Sequence, residues 1–276
     1  MAGCDILWHA SLPACTLAER VALAAAAGFG GISVSAQDLS GTGGGPPPGE
    51  VMRMAADSGV GLHCLDSVIE WYPHAPPKRM AEAADQDADA LLALCERFAI
   101  PSVSALAMFP SECDQDGMTE AFASLCDRAA GHGLVVHLEF TPFPPIAGPA
   151  GGWETVRRAG RDNGGVLLDT WHFFRSDDPQ AGLDLLATIP GHRITAVQLS
   201  DGAPEFVESL LKDTFRHRLL PGAGSFALDR LLDGLDRIGA RPLTGPEVLS
   251  EELWVHPAAE VAARLAAAAG RLYAGR

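Results

Sequence analysis

The chain has 276 residues, 47% of them hydrophobic and 20% charged, and a formal net charge of −15 at neutral pH. This composition excludes disordered and collagen-like chains, and the acidic balance argues against a surface built to grip a phosphate backbone, which needs clustered Lys and Arg. No run approaches the roughly 20 apolar residues of a membrane helix, and Met1 to Ala10 lacks a basic stretch followed by a long apolar one. The expectation is a cytoplasmic protein without nucleic-acid or membrane partners.

Short apolar runs alternate with Ala- and Leu-rich segments of helical period, the pattern of repeated βα units. In chain order, strands predicted over Asp5–Trp8, Gly31–Val34, Gly61–Leu65 and Ser102–Ala105 lead into helices over Leu17–Ala27, Gly49–Ser58, Met80–Phe98 and Thr119–His132. Strands over Leu134–Phe140, Val166–Asp169, Ile194–Leu199 and Leu243–Leu249 lead into helices over Trp153–Asp162, Ala181–Thr188, Leu228–Ile238 and Pro257–Leu272. Eight such pairs in one α/β domain spanning the chain predict a single (β/α)8 TIM barrel. The first βα turn lacks the G-x-G-x-x-G signature of a dinucleotide site. Two stretches break the rhythm and are read as loops: the Gly/Pro run 41–49, and the long connection from Asp201 to Ser225. The six cysteines form no C-x-x-C pair and are read as buried thiols.

The strongest chemical signal is a set of oxygen donors at strand ends. Strand alternation puts Val135, His137 and Glu139 on one face, so that Glu139 points into the barrel mouth, and Asp169, Gln198 and Glu247 hold matching places on the next three strands. Converging carboxylates repel by about 4 kcal/mol per close pair at an effective dielectric of 20. A divalent cation offsets that repulsion, as would a protonated carboxyl or a pairing arginine. His172, three residues beyond Asp169, lies within reach of the same space in a tight turn. Arg218 opens an R-x-x-P-G-x-G loop and is the candidate substrate anchor, with pairing to Asp201 as its structural alternative. His9, after the first strand, and His63, Asp66, Glu70 and Trp71, on or after the third, are further candidates for the mouth. Trp8, Trp71, Trp171 and Phe173 offer an apolar wall for a sugar ring or simply fill the core.

The segments LEFTP, LLDTWHFFRS, VQLSDG, RLLPGAGSF and PEVLS, in this order, resemble the sugar phosphate isomerase/epimerase family, the xylose isomerase-like barrels. The resemblance implies one divalent metal ion held by Glu139, Asp169, Gln198 and Glu247, with Glu139 and Glu247 also the acid/base pair and His172 a functional group beside them. Trp171, His9 and His63 join Arg218 as expected contacts to a small carbohydrate-like substrate, and barrels of this family often pair as homodimers. Many family epimerases carry His where this chain has Gln198, whereas the inosose and dehydroshikimate dehydratase branches resemble it in using Gln. A neutral oxygen donor that exchanges no proton shifts the expected metal toward Mn²⁺, Mg²⁺ or Co²⁺ rather than Zn²⁺.

Two enzymatic readings follow. In the first, an isomerase or epimerase, Glu139 and Glu247 remove and return a proton next to a metal-bound carbonyl. The second is a dehydratase of a keto-cyclitol or cyclic keto acid, in which His172 protonates the departing hydroxyl. A barrel that binds a sugar or metal without turnover is the non-enzymatic alternative.

Overall fold

Eight short strands pair in chain order into one parallel sheet: β1 Ile6–Leu7, β2 Gly31–Val34, β3 Gly61–Val68, β4 Ser102–Leu106, β5 Val135–Glu139, β6 Gly164–Asp169, β7 Ile194–Leu199 and β8 Leu243–Pro246. Nearly every strand residue is buried, which a parallel sheet covered on both faces requires. The computed structural model describes residues 5–40, 47–73, 87–107, 109, 111–274 and 276. Most of the predicted 41–49 loop, and residues 80–86 of the predicted third helix, lie outside the described residues. Bonds from the Asp5 N–H to Thr244 O (2.7 Å) and from the Trp8 N–H to Pro246 O (3.3 Å) join β1 to β8, so the sheet closes as the predicted barrel.

Local sequence accounts for the outer helices. Thr16 and Glu19 form a reciprocal capping box on Leu17–Ala27, and Gly28, at φ +86°, ends that helix in the left-handed conformation a side chain would strain. Several helices start earlier than periodicity indicates. Gly148–Ala159 begins five residues before Trp153 because Pro149 sits in its first turn, where a missing N–H costs nothing. Gln115–Ala130 begins where the Asp114 side chain accepts from the Gly117 N–H at 2.9 Å.

Among the described residues, four short α-helices fall where none was predicted, including Ala36–Ser40 and Glu251–Trp254. Thr170–Phe174 follows β6 directly, and Leu210–Arg216 sits within the predicted 201–225 loop. Leu210–Arg216 is organised by buried Asp213, whose carboxylate accepts from the backbone N–H groups of Val207, Glu208 and Ser209 at 2.7, 3.0 and 3.3 Å. β8 stops at Pro246, short of the predicted Leu249, yet the Glu247 N–H still reaches Leu199 O at 2.9 Å and fixes that residue at the strand end. The five described cysteines are free thiols, as predicted, although Cys15 and Cys113 are half-buried rather than buried.

The main core lies between sheet and helices, and a smaller apolar cluster of Ile6, Trp8, Cys64, Leu167 and Ala196 plugs the barrel interior. This apolar plug separates the polar groups at the two ends of the barrel. Closure depends on a small residue at the seam: a Cβ on Gly245 would stand 1.8 Å from the carbonyl oxygen of Ile6, a backbone atom that cannot turn aside. Gly245→Ala is therefore expected to destabilise the fold by about 3 kcal/mol, with β1 displaced from β8. Denaturant unfolding checks this; stability unchanged from wild type would contradict the tight seam.

Candidate metal centre and active site

At the carboxyl ends of the strands the chain gathers four buried carboxylates, Asp66, Glu139, Asp169 and Glu247, together with Gln198, His172 and Arg218. Each is fixed by the element that carries it. Asp169 ends β6 and caps the helix that follows: its Oδ1 accepts from the N–H groups of Trp171 (2.7 Å) and His172 (3.4 Å). That short helix turns His172 back over the mouth, where its Nε2 lies 3.4 Å from Glu139 Oε1 and 3.6 Å from Asp169 Oδ2. Glu139, Asp169 and His172 each offer a ligand atom, all within 4.8 Å of one another. Groups this close could share one divalent ion.

Glu247 stands on the other flank. Its Oε1 accepts from the Gln198 side-chain amide at 3.1 Å, and its Oε2 lies 3.2 Å from Arg218 Nη1. The same Nη1 donates to Asp169 Oδ2 at 2.7 Å, so one guanidinium nitrogen bridges two strand-end carboxylates. Arg218 is held from behind by the Thr214 carbonyl, to which its Nε donates at 2.9 Å, and lies over the Trp171 ring. It does not pair with Asp201, whose carboxylate instead accepts from the backbone N–H groups of Gly202, Gly222 and Phe226. The P-G-x-G loop is thus stapled to β7, and Arg218 is left facing the carboxylates.

Charge governs the titration of these groups. Burial, with Asp66 and Asp169 adding to it, pushes the Glu139 carboxyl well above the usual range. Burial also drives Glu247 well above its ordinary value, with Asp66, Asp169 and Glu139 adding to the effect and Arg218 opposing it. Asp169 is buried as well, but Arg218 and His172 outweigh that burial and hold it below its ordinary value. Burial lowers His172 to about 4, which keeps its imidazole neutral. Four carboxyl groups thus face one guanidinium and a neutral ring, and the two that resist ionisation would be free to ionise beside a divalent cation. The Oε1 of Gln198, 1% exposed and without a hydrogen-bond partner, is an orphaned oxygen in the same donor set. The residues present therefore fit a hard divalent ion with oxygen and imidazole ligands.

The remaining candidates divide. His9 lies in the mouth, with Nδ1 3.2 Å from Ser33 Oγ and 3.5 Å from Asp66 Oδ2. Trp171 is 1% exposed, donates to Thr214 Oγ1 at 3.0 Å and lies under the Arg175 and Arg218 guanidiniums, so it supports the anchor rather than presenting an open face. His63 does not join the others: it lines a cavity at the amino-terminal end of the barrel, beside the start of β4 and β5. Its place early in β3 puts it below the interior plug. Trp8 fills the plug, while Trp71 and Phe173 pack in the main core. Asp66 is the residue that pattern reading undervalued. Its strand runs on to Val68, past the predicted end at Leu65, and Ser104 Oγ donates to it at 2.5 Å. An acidic residue at a strand end, the feature shared by Glu139 and Asp169, was the available signal.

The profile described as "Xylose isomerase-like TIM barrel" matches residues 21–270, and the chain belongs to that family. The chain is 27% identical over 246 residues to a 3-dehydroshikimate dehydratase of Pseudomonas aeruginosa, a match spanning 86% of this chain and 36% of that protein. An inosose isomerase of Bacillus velezensis is 26% identical over 158 residues, covering 56% of this chain and 54% of that protein. The chain thus spans about a third to a half of the curated relatives it matches. The crystal structure of IolI protein with a bound zinc atom superposes with a TM-score of 0.83 at 17% identity, covering 97% of this chain and 96% of that one, a likeness of fold. Among the described residues, no helix is long and apolar enough to cross a membrane.

A pH-dependent response to metal follows. Unfolded glutamates titrate near about 4.3, below the raised folded values of Glu139 and Glu247. Their contribution to stability is therefore complete below about pH 4.3 and is lost as pH rises through the folded values. Asp169, held low, works in the opposite sense, stabilising above about pH 3.9 and losing that effect on acidification. A cation needs ionised ligands, so Mn²⁺ is expected to raise the melting temperature of chelator-stripped protein more at about pH 8 than at about pH 5.5. An equal gain at both values, read by calorimetry, would remove these carboxylates from the binding set.

Proposed function

We propose that the chain is a divalent-metal-dependent isomerase or epimerase acting on a small keto-sugar or related polyol. One observation carries the reading: Glu139, at the end of β5, and Glu247, just past β8, flank Asp169 in a single buried mouth, tied to it through His172 on one side and Arg218 on the other. Glu139, Asp169, Gln198 and Glu247 would hold the ion, with His172 close enough to join them. The ion, when bound, polarises a carbonyl and its neighbouring hydroxyl and so acidifies the C–H between them. Glu139 takes that proton from one face of the substrate and Glu247 returns one from the other. Arg218, fixed by Thr214 and backed by Trp171, orients a substrate oxygen, and His9 with Asp66 offers a second polar contact across the mouth. The closed barrel below excludes water from the floor of the site, where Trp8 and Leu167 are fully buried.

A second reading keeps the same proton removal but has His172 protonate a departing β-hydroxyl, which makes the protein a dehydratase of a keto-cyclitol or cyclic keto acid. The extent of similarity favours it: the match to the dehydratase runs over 86% of the chain, that to the inosose isomerase over 56%. The soluble substrate and the oligomeric state, including a homodimer, belong to the same proposal.

Incubation of the Mn²⁺-, Mg²⁺-, Co²⁺- or Zn²⁺-loaded protein with keto-hexoses, keto-cyclitols and cyclic keto acids in D₂O separates the two readings. Deuterium entering recovered substrate and its isomer is the outcome expected for the first; a new ultraviolet-absorbing enone marks the second. Glu139→Gln and Glu247→Gln should each lower turnover by about 10²- to 10⁴-fold, the range of a lost acid/base group. Turnover that survives Glu247→Gln unchanged would overturn the assignment, as would metal binding without turnover of any compound in the set.

A further inference from the structure

The amino-terminal end of the barrel, across the apolar plug from the carboxylates, holds a cavity of about 550 Å³ lined in part by His63, His137, His192, Thr195 and Arg241. A space of this size suits a small organic molecule rather than a few waters. Its polar groups are built in by glycines at strand starts. The His63 imidazole occupies room left by Gly31 and Gly61, whose added Cβ atoms would come within 2.0 Å and 2.7 Å of the ring. Gly165 leaves the same kind of space for the Thr195 side chain, 2.2 Å from where its own Cβ would be. Thr195 Oγ1 in turn lies 2.8 Å from His137 Nδ1, which fixes that ring and leaves its Nε2, on a side chain 3% exposed, without a partner among the described residues. At the rim, Arg241 donates to the carbonyl of Ala240 at 2.6 Å, and no described carboxylate pairs with it.

The chemistry of this lining is one-sided. It carries three imidazoles, a guanidinium and two hydroxyls, and no carboxylate among its described residues, in a chain whose net charge is −15. Asp5 interacts electrostatically with His63 and Asp66 with His137, and neither acid lines the cavity. A metal is a poor occupant: the three histidines do not bring three ligand atoms within one coordination span, which among the described residues only Glu139, Asp169 and His172 achieve. Ring N–H groups and a guanidinium without an acidic partner are the donors that recognise oxyanions. We propose that this amino-terminal cavity is a second ligand site, taking a small multiply charged oxyanion, a phosphate or a polycarboxylate, separately from the chemistry at the other mouth.

Calorimetric titration of the full chain, stripped of metal, with inorganic phosphate and with propane-1,2,3-tricarboxylate tests this and distinguishes the two sources of charge. The expected result is saturable binding of at least one anion, weakened about tenfold or more in Arg241→Gln and in His192→Gln, each removing a donor from the rim. Both positions are exposed, so the variants should keep the wild-type circular dichroism, and Arg218→Gln at the opposite mouth should leave the binding unchanged. Absence of saturable binding by either anion would overturn the proposal. So would binding that survives both rim substitutions, or that disappears with Arg218→Gln.

Discussion

The structure turns on the mutual repulsion of carboxylates brought to one end of a closed barrel. Asp66, Glu139, Asp169 and Glu247 come from four different strands, and only strand pairing around the whole ring brings them together. Burial removes the water that would screen them, so the charge has to be met by groups of opposite sign or by protons. The chain does both: Arg218 bridges Asp169 and Glu247, and Glu139 and Glu247 resist ionisation. A site poised in this way gains from a cation that lets the remaining carboxyls ionise, and that gain links the architecture to metal chemistry.

Asp169 shows how one residue couples fold and site. One of its oxygens starts a short helix by accepting two backbone N–H groups, and the other faces Arg218 and His172. The helix that it nucleates is the one that carries Trp171 under Arg218 and returns His172 to Glu139. Removing this carboxylate would therefore disturb backbone geometry, anchor and charge together. Asp201 has the complementary role, holding the 222–226 loop through backbone N–H groups and contributing nothing to the charge around Arg218.

The two ends of the barrel differ in kind although the same strands build both. β5 presents His137 below and Glu139 above, and β6 presents Gly165 below and Asp169 above, with Leu167 between them in the plug. Alternation along a strand sends side chains two apart to the same face, so a single strand delivers a basic or small group to one end and an acidic one to the other. The plug of Ile6, Trp8, Cys64, Leu167 and Ala196 lies between the two sets, although the charge of Asp66 is still felt by His137.

Much of this was legible in the order of residues along the chain. Alternation marked the strands, the rise and fall of apolar period marked eight βα units, and position at strand ends picked out Glu139, Asp169, Gln198 and Glu247, because these features are local consequences of backbone geometry. Helix starts at Gly148 and Gln115 were less visible, since Pro149 and Asp114 act through the first turn rather than through periodicity. What tertiary structure alone decided was partnership. That Arg218 meets Asp169 and Glu247 rather than Asp201, that His63 lies at the far end from His9, and that Asp66 joins the mouth depend on register and closure between strands distant in sequence. A linear pattern gives the face on which a side chain lies, but its height along the barrel and the charge across from it exist only once the ring has closed.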